Sequence, residues 1–164
     1  AYRARSWAAG DGDRFPASRE SALDEQAEIL TGYLLFAEEV PLPAGGIRGS
    51  EDFRRDFRRD RREVAGRSLK DFDLQTRLFR HRCSHMIYSP VFQGLPEAVK
   101  GRIFSRLGRA LRDSGSVPAR WRLPEDERQA VSEILHGTLP EIRPYLETRT
   151  GAPESGAPAG KVQG

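Results

Sequence analysis

Pro96-Glu97-Ala98-Val99-Lys100-Gly101-Arg102-Ile103-Phe104-Ser105-Arg106-Leu107-Gly108-Arg109-Ala110-Leu111 decides the fold class. Val99, Ile103, Leu107 and Leu111 recur at every fourth position, with Phe104 and Ala110 beside them. At helical pitch these side chains fall on one face and the arginines on the other. Pro96 suits a helix start, because its missing N–H has no intrahelical partner there. Gly115 offers a stop, and the spacing predicts a helix over 97–113.

The same period appears upstream. Leu23, Ala27, Leu30 and Leu34 predict a helix over 18–37, with Ile29, Tyr33 and Phe36 widening the stripe. Ser18 or Ser21 can cap it, since a serine hydroxyl accepts from the free amides of the first turn. Pro41 and Pro43 are expected to end it. Downstream, Pro124 before Glu125, Asp126 and Glu127 marks another helix start. Ala130, Val131, Ile134 and Leu135 form its apolar face, and Gly137 is its expected stop. Ser68 is expected to open a helix through Leu69, Phe72, Leu74, Leu78 and Phe79, bending into Cys83, Met86 and Ile87. Ser89-Pro90 marks a boundary, Trp121 and Leu123 are expected to cover the core, and Ile142, Tyr145 and Leu146 a last short turn. No run shows sustained strand alternation. The reading is an all-α, irregular multi-helix domain over 17–147. The helices at 18–37 and 97–113 form its central pair, with 68–88 between them. Leu30, Leu34, Ile103, Leu107 and Ile134 are expected in the core.

Residues 1–16 read as an irregular segment bearing Tyr2 and Trp7, and 148–164 as a disordered tail too poor in apolar residues to offset its ordering entropy. The chain begins with Ala, so it is expected to be a processed product, a piece of something longer or one half of a cut polypeptide. No apolar run approaches the roughly 18–20 residues of a membrane span, and no signal-peptide core is visible. One cysteine, Cys83, excludes an internal disulfide and an all-cysteine zinc site within one chain.

The net charge of +3 conceals a segregation. Residues 1–47 hold four arginines against eight acids, whereas 48–109 hold sixteen basic residues against eight acids. Within the basic region Phe53-Arg54-Arg55-Asp56 is repeated at once as Phe57-Arg58-Arg59-Asp60. Ser50 looks like the cap of a helix over 50–63, with Glu51 and Asp52 complementing its dipole. A period of four sets Phe53 over Phe57 and Arg54 over Arg58, and Arg55, Arg59 and Arg62 share another face. Asp56 is spaced to pair with Arg59. A helix this polar gains little by folding back on its own domain, so Arg54, Arg55, Arg58, Arg59 and Arg62 are the expected contacts to an acidic protein partner. Phe53, Phe57, Phe72 and Phe79 among the arginines also suit nucleic acid, since cations neutralise phosphate and rings stack on bases. Against that, the acids alternating with Arg repel phosphate, and the rings sit at core spacing.

His81-Arg82-Cys83-Ser84-His85 is the one cluster of soft ligands. On a helix His81 and His85 would share a face, which makes them weak metal candidates; Cys83 would point away, and the only other histidine is His136. No metal or other cofactor is expected. A nucleophilic pair of Cys83 with His136 would need a stabilised thiolate, a base in reach and an oxyanion site, none of them legible. No phosphate loop, dinucleotide fingerprint or serine-hydrolase elbow occurs.

The stretch from Arg67 to Pro90, with Leu95-Pro96 beyond it, resembles a segment near the C-terminus of a group of larger, exported bacterial proteins with no assigned activity. The resemblance covers about Tyr33 to Pro140 and brings no catalytic motif. It implies an exported or periplasmic C-terminal piece of a longer protein, with any chemistry upstream. The functional expectation is a non-catalytic helical packing or interaction module. Its partner is another protein or the remainder of its own polypeptide. The alternatives are a module lending one side to an enzyme or redox site centred elsewhere, and an arginine-rich nucleic-acid binder.

Overall fold

The structure, a computed structural model, describes residues 16–147. The expected irregular N-terminal segment, except Pro16, and the expected disordered tail therefore lie outside the described residues. The fold is all-α. Among the described residues six α-helices follow in order: α1 (Pro16–Leu34), α2 (Glu51–Phe57), α3 (Pro90–Gln93), α4 (Glu97–Arg112), α5 (Glu125–Thr138) and α6 (Arg143–Glu147). Short 3₁₀ turns stand at His85–Tyr88, Ser114–Ser116, Ala119–Trp121 and Pro140–Ile142. Among the described residues there is no strand, only isolated antiparallel bridges between Val64 and Arg67 and between Phe72 and Phe79.

The core is built on α4, which packs against α1, α5 and α6. Val99, Ile103, Leu107 and Ala110 have no exposed surface, and Phe104 and Leu111 are buried beside them. Helix α5 contributes Val131, Ile134 and Leu135, and Trp121 and Leu123 close the core as expected. Gly108 lies where α6 crosses: a Cβ there would sit 2.3 Å from the Tyr145 carbonyl oxygen. Along α1 the buried line is Leu23, Ala27, Thr31 and Leu34. Thr31 is accommodated because its hydroxyl donates to the Ala27 carbonyl at 2.7 Å. Leu30 is only half-buried, packed at the edge of the core, and Ile29 and Tyr33 face outward. The expected stripe was therefore too wide.

The charge segregation is spent largely inside the fold. Arg102 pairs with Glu20 and, at 3.2 Å, with Asp24; Arg106 reaches Asp24 at 3.0 Å, and Arg120 reaches Glu28 at 2.8 Å. The acidic face of α1 thus lies against cations of α4 and the segment after it. The Arg106 hydrogen bond above all, with Arg102 adding to it, holds the Asp24 carboxyl below its ordinary pKa.

Several local expectations are corrected. Helix α1 begins at Pro16, so Ser18 and Ser21 lie inside it, and it ends at Leu34, well before the prolines. The stop is a Schellman turn: the Ala37 amide donates to the Gly32 carbonyl at 3.0 Å and the Phe36 amide to Tyr33 at 3.3 Å. Phe36, at φ 49°, takes the left-handed position that glycine usually fills. Helix α2 ends at Phe57, so the arginine row proposed for 50–63 breaks after its first two turns. Gly66 is not a helix stop. With Ala65 it makes a two-residue turn, both residues at positive φ, across which Val64 and Arg67 exchange both hydrogen bonds.

The largest correction concerns 68–84, which forms no helix. Asp71 and Asp73 capture amides that a helix would need. The Ser68 amide donates to the Asp71 carboxylate at 2.8 Å, and the Asp73 carboxylate accepts from the amides of Gln75, Thr76 and Arg77. The chain doubles back instead, with Asp73 and Leu74 amides bonded to the Leu78 and Arg77 carbonyls. Two anchors fix this segment. The Ser84 amide donates to the Leu34 carbonyl at the end of α1, 2.7 Å away. Glu127, on α5 and 8% exposed, accepts from the Arg82 amide at 2.8 Å and from the guanidiniums of Arg77 and Arg82 at 3.0–3.1 Å.

Two substitutions test this packing. Leu107→Ala should lower unfolding free energy by about 2–5 kcal/mol, the usual range for emptying a leucine site in a closed core. Gly108→Ala would gain roughly 1 kcal/mol in a free helix. Here it should cost about 1–3 kcal/mol, because the methyl group meets backbone that cannot give way. Urea denaturation of both variants checks the expectation; a stabilised Gly108→Ala protein would contradict the α4–α6 approach.

Candidate functional site

The turn at Phe36 creates the most distinctive surface. By reversing the chain directly after α1, it sets Glu38 and Glu39 opposite Glu25 and Glu28. Between them opens a groove of about 890 Å³. Its walls are Ile29, Tyr33, Phe36 and Leu78. Tyr33 is 71% exposed, Ile29 43% and Leu78 39%. Glu28 is paired with Arg120, and Glu39 accepts from the Leu78 amide at 3.1 Å. Glu25 and Glu38 have no hydrogen-bond or ion-pair partner among the described residues. The apolar surface continues past Tyr33 into a second groove of about 240 Å³ with Met86, Val91 and Leu95. Met86 is 50% exposed and Val91 68%. Neighbouring exposed apolar side chains of this size are uncommon on a finished surface, where such residues normally occur singly.

A column of rings supports the groove from beneath. Phe36 stacks on Phe79 at 5.7 Å, Phe79 on Phe72 at 5.5 Å, and Phe72 meets Phe57 at 5.0 Å, which stacks on Phe53 at 5.9 Å. The left-handed backbone of Phe36 carries a steric cost for a side chain with a Cβ; its ring contact with Phe79 works against that cost. The four phenylalanines singled out in the sequence thus stack on one another, and only Phe53 ends exposed, at 60%.

The five nominated arginines are all engaged within the chain. Arg54 pairs with Glu51, Arg55 with Asp52 at 2.6 Å, and Arg59 with Asp56 at 2.7 Å, the pairing the spacing implied. Arg58 reaches Asp71 at 3.3 Å. Arg62 donates to the Thr138 carbonyl at 3.1 Å, and its guanidinium lies 4.6 Å from the Tyr88 ring centre. Arg55 and Arg59 project into solvent, whereas Arg54 and Arg58 line a cleft with Arg48 and Arg80. Neither Arg48 nor Arg80 has a sequence signal, because what joins them to α2 is the non-helical doubling of 71–80.

His81 and His85 share no helix face. His81 sits buried in the irregular segment, and His85 opens a 3₁₀ turn with its ring edge-on to Phe57 at 5.1 Å. No group of three or more His, Cys, Asp or Glu among the described residues is placed to hold a metal ion. Cys83 is fully buried, and burial pushes its thiol up to about 12, so the reactive thiolate is not available. His136 is exposed and paired with Glu147 at 3.0 Å. No helix of the described residues is long and apolar enough to cross a membrane.

Comparison with protein-family models, with curated proteins and with solved structures finds no match to this chain.

The two histidines generate a pH expectation. Burial lowers the pKa of both; Lys70 adds to it at His85, while Asp71 and Glu127 partly oppose it at His81. Nε2 of His81 and Nδ1 of His85 have no hydrogen-bond partner among the described residues. The unfolded chain therefore takes up these protons first, and stability present above the ordinary histidine pKa of about 6.5 is lost as pH falls through it toward the lower folded values. The urea midpoint should drop between about pH 7.5 and 5.5, and His85→Phe should flatten that slope. A wild-type midpoint constant over this range would contradict the assignment.

Proposed function

We propose that this chain is a non-catalytic interaction module. Its partner is a protein carrying a basic segment with an apolar anchor, held in the groove of Ile29, Tyr33, Phe36 and Leu78. The single observation behind this reading is the combination of exposed apolar walls with an acidic rim. The walls gain when covered, at roughly 25 cal/mol per Å² of apolar surface removed from water. Glu25 and Glu38 favour lysine or arginine flanking the anchor and disfavour acidic sequences, which gives selectivity as well as attraction. The full burial of Cys83 argues against its use as a nucleophile. Two rows of charge along a regular arginine helix no longer support the partner reading. Arg55 and Arg59 remain accessible, but each already has an acidic neighbour in its own helix.

The test uses the whole chain and two designed fluorescent peptides. Both place Leu and Trp on one face of a short helix; one is flanked by Lys and Arg, the other by Glu. The basic peptide should bind at least tenfold more tightly, and Tyr33→Ser with Leu78→Ser should abolish the difference while leaving the unfolding midpoint close to wild type. Equal anisotropy changes for both peptides, or binding untouched by the double substitution, would overturn the proposal.

A further inference from the structure

The groove leaves a second concavity unexplained. Against Phe72 of the phenylalanine column lies a cleft of about 460 Å³, within the range of about 300–1,000 Å³ typical of small-molecule sites. Four arginines line it from three separate parts of the chain: Arg48 from the loop before α2, Arg54 and Arg58 from α2, and Arg80 from the doubled segment; the end of Arg58 is on Asp71. Its acids are already committed. Glu51 pairs with Arg54. Asp71 accepts from Arg58, from Arg61 at 3.2 Å and from the Ser68 amide. Asp73 serves its own turn, and the hydrogen bond from the Thr76 hydroxyl holds its carboxyl below the ordinary range.

Arg48 and Arg80 differ from the other two, because neither makes an ion pair among the described residues. The fold also leaves Nε of Arg54 without a protein acceptor. Beside these cations the otherwise polar lining offers an apolar strip, with Ile47 40% exposed and Phe72 half-buried. The loop that carries Ile47 and Arg48 is fixed and not merely draped there. The Ile47 amide donates to the Leu74 carbonyl at 2.8 Å. Gly46, at φ 69°, allows this approach, since a Cβ would stand 2.2 Å from the same carbonyl.

We propose that this cleft binds a small organic phosphate. Its phosphate group is held between Arg48 and Arg80, and its carbon skeleton rests against Ile47 and Phe72. Guanidinium forks match the oxygen geometry of phosphate and remain charged at any physiological pH. The cleft is too large to be filled by a bare phosphate ion, and its apolar strip is the part that ion would leave unused. This site is separate from the groove and does not rest on the interaction reading.

The full chain is titrated in a phosphate-free buffer with ribose 5-phosphate, ribose, inorganic phosphate and a twelve-nucleotide single strand, by amide-resolved NMR. Ribose 5-phosphate should saturate at one equivalent, shift amides around Arg48 and Arg80, and bind at least tenfold more tightly than inorganic phosphate, with ribose silent. Arg48→Gln and Arg80→Gln should each weaken it about tenfold. Arg143→Gln, on α6, should leave it unchanged. Both substituted side chains are exposed, so folding is not at stake, and the amide spectrum confirms it. Equal affinity for inorganic phosphate would overturn the organic-ligand assignment. So would insensitivity to both substitutions, or binding of the oligonucleotide alone, which would mark the cleft as a nucleic-acid surface.

Discussion

A buried carboxylate, Glu127, is the side-chain anchor that holds the irregular segment 68–84 to α5, beside the backbone bond from Ser84 to the end of α1. Residues 68–84 have neither helix nor sheet to satisfy their backbone, so they depend on contacts from elsewhere. Glu127 supplies three of these at once: it accepts from the Arg82 amide and pairs with the guanidiniums of Arg77 and Arg82. Its helix is in turn fixed by the apolar layer of Val131, Ile134 and Leu135. Removing one partner of such a buried pair costs more than the pair itself contributes, because the other charge is then left without its counterpart. The groove wall at Leu78 and the cleft wall at Arg80 both hang on this anchorage.

How much of this was legible depended on whether the local and the distant forces agreed. They agree in α4 and α5, where proline starts, acidic first turns and four-residue apolar spacing all point one way, and both helices begin where the sequence placed them, although α5 runs through its expected stop at Gly137 to Thr138. They conflict at 68–84. There Leu69, Phe72, Leu74 and Leu78 can be fitted to a helix, but Asp71 and Asp73 offer the backbone local acceptors that favour turns. The aspartates prevailed because Glu127 and Leu34 provide the remaining hydrogen bonds from afar, and nothing in a linear pattern announces partners 45 or more residues away.

The surfaces were harder to read than the core, for a related reason. The arginine repeat is conspicuous in sequence, yet it pairs with its own acids at a spacing of three and spends Arg58 on Asp71, while Arg62 just beyond it goes to the Thr138 carbonyl. The apolar groove is inconspicuous, because Ile29, Tyr33 and Phe36 are what a core stripe would contain. Ile29 and Tyr33 face outward because the buried line of α1 runs through Leu23, Ala27, Thr31 and Leu34, and the left-handed stop at Phe36 then closes the groove beside them. Glycine would have signalled that turn; phenylalanine, retained for its ring, conceals it.

The ionic seam along α1 has a consequence for how that helix finds its place. Glu20, Asp24 and Glu28 repeat every four residues, close to one helical turn, and meet Arg102, Arg106 and Arg120. A seam with that repeat attracts almost equally well after a slide of one turn, so charge brings the helix in without telling it where to stop. Size does that. Ala27 occupies a position with no exposed surface, and a one-turn slide would drive Leu23 into it. Interiors packed like crystals do not absorb three extra carbon atoms without displacing their neighbours. The fully buried alanine of α1 is therefore its register mark.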